Sequence, residues 1–391
     1  MTSASFEIHG RCDARFAAVR SCFEENFQHH AEIGAAVAVH VDGRLVVDLW
    51  AGMADRSARR AWNSDTLVNV YSSTKGLAAM CVQLLVERGL LDLDARVAKY
   101  WPEFAAAGKA AIDLRTLLGH RAGLAVIAEP LPAGALYDHA VMAGALAAQA
   151  PAWQPGTEHG YHAQTFGFLV GELVRRVTGV SLGRFLHDEI AARCGADVHI
   201  GLAAEHDARV AKLTRPLDQV APAGETDLTS VWRREPDALT TRAFSNPPSV
   251  PGATQTRAYR AAEIPASNGH ATALGLSRIY ASAIGPGADW GAPLLSAAGV
   301  ERCSEQYAFG LDLVLRMTTR FGPGFMLSQP SGSGYFSPNG RSFGHPGMGG
   351  SIGFADPDAH IGFGYVMNRM GFAILVDERP RRLIDALYSC I

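Results

Sequence analysis

The alternation of apolar and polar positions at the start of the chain predicts one helix followed by paired strands. Apolar residues recur at helical spacing over residues 13–28, which predicts an amphipathic helix. Residues 35–41 form a largely apolar run that is typical of a strand, and Asp42-Gly43 is a strong two-residue hairpin signal. Residues 44–50 are therefore the predicted returning strand, and residues 67–71 a third, short one.

The pattern becomes helical at Ser72 and stays mainly helical through the middle of the chain. One face of the first of these helices is apolar, and Gly89 suits its C-terminal end; the apolar positions are Leu77, Met80, Cys81, Leu84 and Leu85. Further helices are predicted over residues 164–178 and 182–193. Residues 216–265 are rich in Pro, Ser and Arg, which predicts long loops that shape a cleft.

The C-terminal part of the chain returns to strands. Residues 343–354 and 361–366 are predicted strands on either side of an Asp356-Pro357-Asp358 turn. Residues 381–390 are predicted to form a closing helix. The two ends of the chain therefore carry the same kinds of elements.

Strands and a helix at each end, with helices between them, predict an α/β fold in two parts. Residues 1–71 and 265–391 are expected to form a discontinuous sheet domain, and residues 72–264 a mainly helical domain. The site is expected in the cleft between them.

Composition narrows the classes of function. The chain has 391 residues, of which 48% are hydrophobic and 19% charged, and a formal net charge of -3. This balance argues against a nucleic-acid surface or a basic membrane-binding patch. The six cysteines include no C-x-x-C pair and the 14 histidines no H-E-x-x-H arrangement, so we expect neither a metal nor a cofactor.

The start of the chain bears on location. Residues 1–7 contain no basic segment leading into an apolar one, so no secretory signal is expected. The longest apolar runs fall short of a membrane span. We therefore expect a cytoplasmic protein with reduced thiols and with neither nucleic acid nor membrane as a partner.

The first chemical signal is Ser72-Ser73-Thr74-Lys75, an S-x-x-K motif where a strand changes to a helix. The spacing places Ser72 and Lys75 one turn apart on the same helical face. A serine hydroxyl needs a base to become a nucleophile, and a lysine serves as one when burial lowers its pKa. Free N–H groups at the helix N-terminus can stabilise an oxyanion. The S-x-x-K motif alone also occurs by chance, so the catalytic interpretation depends on its position between a strand and a helix.

Two further segments hold candidate chemistry. Tyr161 follows the run WQPGT at residues 153–157 and precedes a helix, where a tyrosine carries protons if a nearby cation favours its phenolate. The alternative is a partly buried aromatic side chain with a satisfied hydroxyl. Residues 344–350, with the sequence GHPGMGG, either let a ligand approach backbone donors closely or form a bulged edge strand.

Together and in this order, these segments resemble the serine β-lactamase and penicillin-binding protein family, and most closely its family VIII carboxylesterases. The resemblance extends over most of the chain, through TLLGHRAGL at residues 116–124, WQPGT, NGH at 268–270 and residues 350–368. It implies the β-lactamase/DD-peptidase-like fold, which is a mainly antiparallel sheet flanked by helices plus a helical domain.

The resemblance also implies roles for individual residues. Ser72 would be acylated, with Lys75 and Tyr161 sharing the roles of general base and general acid. Tyr161 would also help to activate the deacylating water. The oxyanion hole would consist of the backbone N–H groups of Ser72 and Met348. The remaining implied substrate contacts lie on the glycine-rich strand edge: His345, Gly347 and Gly349.

Two departures from the family pattern favour esters over amides. Lactamases and penicillin-binding proteins usually carry Lys-Thr-Gly where this chain has His345-Pro346-Gly347, and a histidine is mostly neutral at pH 7. The second position after their tyrosine or serine is commonly asparagine, but here it is Ala163, which cannot bond a substrate amide. Slow cephalosporin hydrolysis stays compatible with this pattern.

Other polar residues invite different interpretations. Ser351 lies in a G-x-S-x-G sequence, but the nucleophile elbow of α/β-hydrolases needs a following helix and a histidine well downstream. We therefore interpret Ser351 as a small residue in a strand. His159 and His162 flank Tyr161 without ligand-like neighbours and are interpreted as structural. His120 is expected to order a loop.

The sequence thus predicts a serine carboxylesterase that hydrolyses short-chain esters, a class of small-molecule substrate, through an acyl-enzyme on Ser72. Three alternatives stay open. The first is β-lactamase or D-alanyl peptidase activity, possible as a weak side activity, and the second is acyl transfer to alcohols. The third is a non-catalytic scaffold on the same fold.

Overall fold

A large antiparallel sheet forms the frame of the protein. The computed structural model describes residues 6–215, 228–248, 250 and 252–391. Among these, ten strands form one sheet in the order β1-β3-β2-β13-β12-β11-β10-β9-β8, with β4 on β3. The strands are β1 Ile8–Cys12, β2 Gly34–Val41, β3 Arg44–Asp55, β4 Arg60–Ala61, β8 Ala308–Leu311, β9 Thr318–Phe321, β10 Met326–Leu327, β11 Phe343–Pro346, β12 Ile352–Asp356 and β13 Ile361–Met367. Both ends of the chain therefore meet in the sheet, where β13 pairs with β2.

Three short strands form a separate small sheet in the order β5-β7-β6. They are β5 Val68–Asn69, β6 Val198–His199 and β7 His270–Ala271. The helices are α1 Ala17–His29, α2 Ser73–Glu87, α3 Leu114–Leu118, α4 His139–Ala148, α5 Thr165–Thr178, α6 Leu182–Leu186, α7 Ala192–Cys194, α8 Leu228–Arg234, α9 Leu239–Ser245, α10 Arg257–Ala261, α11 Ala273–Ile284, α12 Ala297–Cys303 and α13 Glu378–Tyr388. A π-helical turn, His187–Ala191, joins α6 to α7.

The large sheet separates two apolar cores. Along β2, Val37 and Val39 pack with α1 and α13 in one core, whereas Ala38 packs in the other. This follows from the period of two along a strand, which sends alternate side chains to opposite faces. The second core also contains α2, whose residues 73–85 are all buried. The first turn of α2 is therefore fixed from every side.

Most of the strongly periodic elements lie where the sequence predicts them. The hairpin turn has positive φ at Asp42 and Gly43, as its tight geometry requires. The predicted helix at residues 164–178 is α5, and the closing helix is α13. The antiparallel sheet flanked by helices agrees with the expected fold class. The limits of the two domains, 1–71 with 265–391 and 72–264, stay a prediction.

Several predicted elements differ from the observed ones. Residues 343–354 form two strands, because the glycine-rich stretch between β11 and β12 makes a turn. The predicted strand at residues 67–71 shortens to β5. The region 216–265 is not wholly loop, since α8, α9 and α10 lie in it; residues 216–227, 249 and 251 lie outside the described residues. Among the described helices, none is both long and apolar enough to cross a membrane.

Candidate active site

A tight turn between β5 and α2 presents Ser72. Tyr71 has a φ of 43°, which is unusual for a bulky residue and marks a constrained backbone. Asn69 holds this turn, since its side-chain oxygen accepts a hydrogen bond from the Tyr71 N–H at 3.3 Å. Ser72 is the N-cap residue of α2. Its own backbone N–H donates to no described residue, as expected of a free helix N-terminus.

Lys75 lies one turn further along α2 and is completely buried. Its Nζ is 3.3 Å from the Ser72 Oγ, 2.7 Å from the Ala163 carbonyl oxygen and 2.9 Å from the Ala266 carbonyl oxygen. Burial lowers the pKa of Lys75 well below its usual value, because desolvation disfavours the ammonium form. Two backbone carbonyls and one hydroxyl are thus the polar neighbours of this amine.

This set of neighbours matches a neutral amine. A neutral lysine has two N–H bonds and one lone pair. The two carbonyls can only accept hydrogen bonds, so they take both N–H groups of Lys75. In this neutral form, the lone pair of Lys75 is left to accept the proton of the Ser72 hydroxyl, whose oxygen lies 3.3 Å from the Nζ. The geometry therefore suits removal of the Ser72 proton by Lys75.

Tyr161 lies beside the same pair. Its ring centroid is 4.6 Å from the Lys75 Nζ, and its backbone N–H donates to the Asp312 Oδ1 at 3.0 Å. Burial raises the pKa of the Tyr161 phenol, although its hydrogen bond with Ser72 acts in the opposite direction. The side chain therefore holds its proton at neutral pH and can give it to a leaving group.

The turn between β11 and β12 carries the second predicted oxyanion donor. No described residue accepts a hydrogen bond from the backbone N–H of Met348. Gly347 lies against the segment just before α2, since a Cβ there would be 2.2 Å from the carbonyl oxygen of Val70. Only glycine permits this close approach. The free N–H groups of Ser72 and Met348 consequently lie on adjoining segments.

His345 is buried next to this turn. Its ring centroid lies 5.9 Å from that of Tyr161, and its Nδ1 is 2.7 Å from the Pro346 carbonyl oxygen. That carbonyl accepts the proton of Nδ1, which leaves Nε2 as an acceptor. Burial lowers the pKa of His345 to about 3. His345 is therefore neutral and cannot replace the positive charge of the lysine in Lys-Thr-Gly.

A cleft of about 490 Å³ opens over Ser72. Its walls are mainly apolar and come from α9 and the described residues after it, from residues 134–137 and from two methionines. The lining includes Tyr137, Phe244, Val250, Tyr259, Met348 and Met370. His345, Gly347 and Gly349 are buried beneath the wall, so their contact with substrate stays a prediction.

Comparison with known proteins now identifies the family. The Beta-lactamase family profile matches residues 19–387. This chain belongs to the beta-lactamase family. It is 36% identical over 374 residues to the Esterase/beta-lactamase LipL of Mycobacterium tuberculosis, covering 94% of this chain and 84% of that protein.

Two solved structures of the beta-lactamase fold are similar over nearly the whole chain. One is a family VIII carboxylesterase, with a TM-score of 0.89 and 40% identity, covering 98% of this chain and 100% of that one. The other is a penicillin-binding protein homologue from Caulobacter crescentus, with a TM-score of 0.87, 38% identity and the same coverage. The predicted fold, the resemblance and the serine-hydrolase class are confirmed.

Ser351, the alternative candidate for the nucleophile, lies in a different structural environment from Ser72. Ser351 is 1% exposed, and its hydroxyl donates to the Val70 carbonyl oxygen at 2.8 Å. Strand β12 follows it directly, whereas a nucleophile elbow needs a helix. Ser351 therefore joins the glycine-rich turn to the segment before Ser72.

Two of the histidines around Tyr161, His120 and His162, form hydrogen bonds with backbone groups. His162 accepts a hydrogen bond from the Leu124 N–H at 3.1 Å through Nε2, and its Nδ1 lies 2.7 Å from the Gly160 carbonyl oxygen. The His120 Nδ1 accepts from the His162 N–H. His159 contacts Thr319. Within the described residues, no three His, Cys, Asp or Glu side chains form a group suited to a metal ion.

Sequence reasoning missed several groups that fix the site. The carbonyl oxygens of Ala163 and Ala266 are backbone atoms, so no residue type reveals them. Asp312 and Arg379 are buried charged residues that act on backbone far away in the sequence. The motif spacing thus indicates the reacting side chains but not their supports.

Proposed function

We propose that this chain is a serine carboxylesterase that hydrolyses short-chain carboxylic esters through an acyl-enzyme on Ser72. The contact between the Ser72 Oγ and the buried Lys75 Nζ carries the proposal. The chain's likeness to a family VIII carboxylesterase and to LipL supports it. The mainly apolar cleft, without charged groups other than Arg215 among its described lining, suits uncharged esters.

Acylation begins when the Ser72 Oγ attacks the ester carbonyl and Lys75 takes its proton. The negative charge that develops on the carbonyl oxygen is held by the N–H groups of Ser72 and Met348. Tyr161 then protonates the leaving alkoxide, and the proton on Lys75 restores the Tyr161 phenol. The alcohol departs, and the acyl group stays on Ser72.

Deacylation reverses these roles. A water molecule attacks the acyl-enzyme and gives up its proton to the Lys75–Tyr161 pair. The same two N–H groups stabilise the second oxyanion. Ser72 leaves as an alkoxide and regains a proton from the pair, which releases the carboxylic acid and restores the resting enzyme.

Ester hydrolysis is favoured over β-lactam or peptide hydrolysis for two reasons. His345 is neutral because burial lowers its pKa, so it offers no cation to a substrate carboxylate. Ala163 has no side-chain group to bond an amide. Acyl transfer to an alcohol uses the same acyl-enzyme and stays the second candidate, while a cytoplasmic location stays a prediction from the sequence.

The test is hydrolysis of p-nitrophenyl acetate, butyrate and longer esters, with nitrocefin in parallel. Ser72→Ala should lower kcat/KM by about 10³-fold or more and abolish labelling by a serine-directed phosphonate. Ser351→Ala is the matched control: it should keep the labelling, and the loss of its hydrogen bond to Val70 should lower turnover by no more than about tenfold. Fast nitrocefin turnover would indicate a β-lactamase instead, and product esters formed with added alcohols would indicate an acyltransferase. An unlabelled wild-type enzyme without turnover would mean a scaffold protein.

A further inference from the structure

The turn that carries Met348 has little side-chain support of its own. Gly347, Gly349 and Gly350 surround this residue, and the last two have φ values of 90° and 131°. Glycine is the residue with the most freedom to lose on folding. Within the turn, the Gly350 N–H donates to the Gly347 carbonyl oxygen at 3.0 Å. A precise position for the Met348 N–H therefore requires contacts from outside the turn.

Arg379 supplies such a contact from the first turn of α13. Its Nη2 donates to the Gly349 carbonyl oxygen at 2.9 Å, and its Nη1 donates to the Arg369 carbonyl oxygen at 2.8 Å. The Gly371 N–H donates to the same Gly349 oxygen. One guanidinium group thus joins the turn to the segment that carries Met370, another residue of the cleft wall.

Two carboxylates balance the positive charge of the buried Arg379 side chain. The side chain is 3% exposed, and its Nη1 and Nε lie 3.0 Å and 2.8 Å from carboxylate oxygens of Glu32 and Asp377. Glu32 also accepts a hydrogen bond from Tyr365. A cation in the first turn of a helix is opposed by the helix dipole, and a buried charge is costly unless it is paired. The two carboxylates offset both costs.

We propose that Arg379 is a positioning residue for the oxyanion hole, acting through the Gly349 carbonyl to hold the Met348 N–H in place. The inference rests on the proposed esterase function. The planar guanidinium reaches two carboxylates and two carbonyls at once, which an ammonium group on a lysine cannot do. Arg379 does not itself touch the reacting atoms.

The first variant is Arg379→Lys, which keeps the positive charge and loses the planar guanidinium group that reaches several acceptors at once. Because the oxyanion exists only in the tetrahedral states, kcat should fall while KM changes little. We expect a fall of about tenfold, less than the ~10²-fold or greater loss from deleting an oxyanion donor. The inhibition constant of a trifluoromethyl ketone, whose serine adduct carries an oxyanion, should rise by the same factor.

Arg382→Lys is the matched control. It makes the same substitution on α13, at a partly exposed side chain whose ion-pair partner is Glu25. Its kcat and inhibition constant should stay within about twofold of wild type. Equal losses in the two variants, or an unchanged kcat in folded Arg379→Lys, would overturn the proposal.

A readout that does not depend on activity separates this proposal from the proposed function. Hydrogen exchange in peptides covering residues 347–350 should be faster in Arg379→Lys than in Arg382→Lys; equal exchange would overturn the positioning role. Absence of ester turnover in the wild-type enzyme would reject the esterase function alone. If Arg379→Lys does not fold, the double variant E32Q/R379M replaces it, with the same expected results.

Discussion

The proposed catalytic pair depends on whether the Lys75 amine is neutral or protonated. Its two N–H groups are taken by the carbonyls of Ala163 and Ala266, and its remaining position faces Ser72. Burial lowers the pKa of this amine, so its neutral form is available at a pH where an exposed lysine is protonated. In the proposed mechanism, the burial of Lys75 therefore sets the reactivity of Ser72.

This arrangement predicts the direction of the pH dependence. As pH falls through the lowered pKa of Lys75, the amine becomes protonated and can no longer accept the Ser72 proton, so kcat/KM should fall. The acid limb should lie below the ordinary lysine pKa of about 10.4. Ester hydrolysis from pH 5 to 10, corrected for the spontaneous reaction, measures it.

Replacing the Lys75 amine with a guanidinium group tests whether Lys75 acts as the base. Lys75→Arg stays protonated throughout and should lose about 10²–10⁴-fold in kcat/KM at every pH. Lys109 is the matched control, because it is also buried and bonded to backbone carbonyls. Lys109→Arg should keep the acid limb of wild type; an active Lys75→Arg enzyme would show that Lys75 is not the base.

The sequence could bring together the residues that we propose to react because their spacing is local. Ser72 and Lys75 are three residues apart, and helical spacing brings them together without any knowledge of the fold. Arg379 could not be predicted in the same way, since its partners Glu32, Gly349 and Arg369 come together only through the sheet. Nothing in the local pattern distinguishes it from an exposed arginine on α13.

At the scale of elements, the loop between β8 and β9 positions Tyr161. Asp312 is completely buried, and its Oδ1 accepts hydrogen bonds from the backbone N–H groups of Tyr161, Val314 and Leu315. Burial raises the pKa of Asp312, while these donors oppose the rise. One carboxylate thus holds its own loop in place and fixes the segment before α5.

Removal of this carboxylate should be costly. Asp312→Ala leaves three buried N–H groups without an acceptor, at about 1–3 kcal/mol each, so the free energy of unfolding should fall by about 3 kcal/mol or more. Urea unfolding measures this loss. The exposed Asp358, which pairs with Arg341, is the control, and Asp358→Ala should cost about 0–1 kcal/mol. Similar small losses would show that Asp312 is not a structural support.

Elements differ in how far the sequence reveals them. The β2–β3 hairpin and α5 carry strong periodic patterns and turn signals. Strand β2 and helix α5 were predicted to within one residue, whereas β3 continues to Asp55, beyond its predicted end at residue 50. Strands β1 and β8 lie at the two edges of the large sheet, where exposed positions weaken the alternation. They take their form from pairing with β3 and β9. Such pairing is a property of the fold and leaves little local signal.

At the scale of the whole molecule, the sheet joins distant parts of the chain. Strand β13 lies between β2 and β12, so the N-terminal strands are completed only by the C-terminal ones. Helix α13 then packs beside α1 on the face of the sheet away from α2. The same helix carries Arg379, so closure of the core and positioning of the oxyanion turn depend on one element.

Deletion of this helix should therefore unfold the protein. Leu383, Ile384 and Leu387 are fully buried, and burial of each contributes about 1.5–3 kcal/mol. Their sum is comparable to the total stability of a domain, about 5–15 kcal/mol. A chain ending at Asp377 should lose its near-UV circular dichroism and its cooperative urea transition. A chain ending at Tyr388, which lacks only the three residues after the helix, should keep both. Cooperative unfolding of the shorter chain at the wild-type urea concentration would show that the sheet is stable without α13.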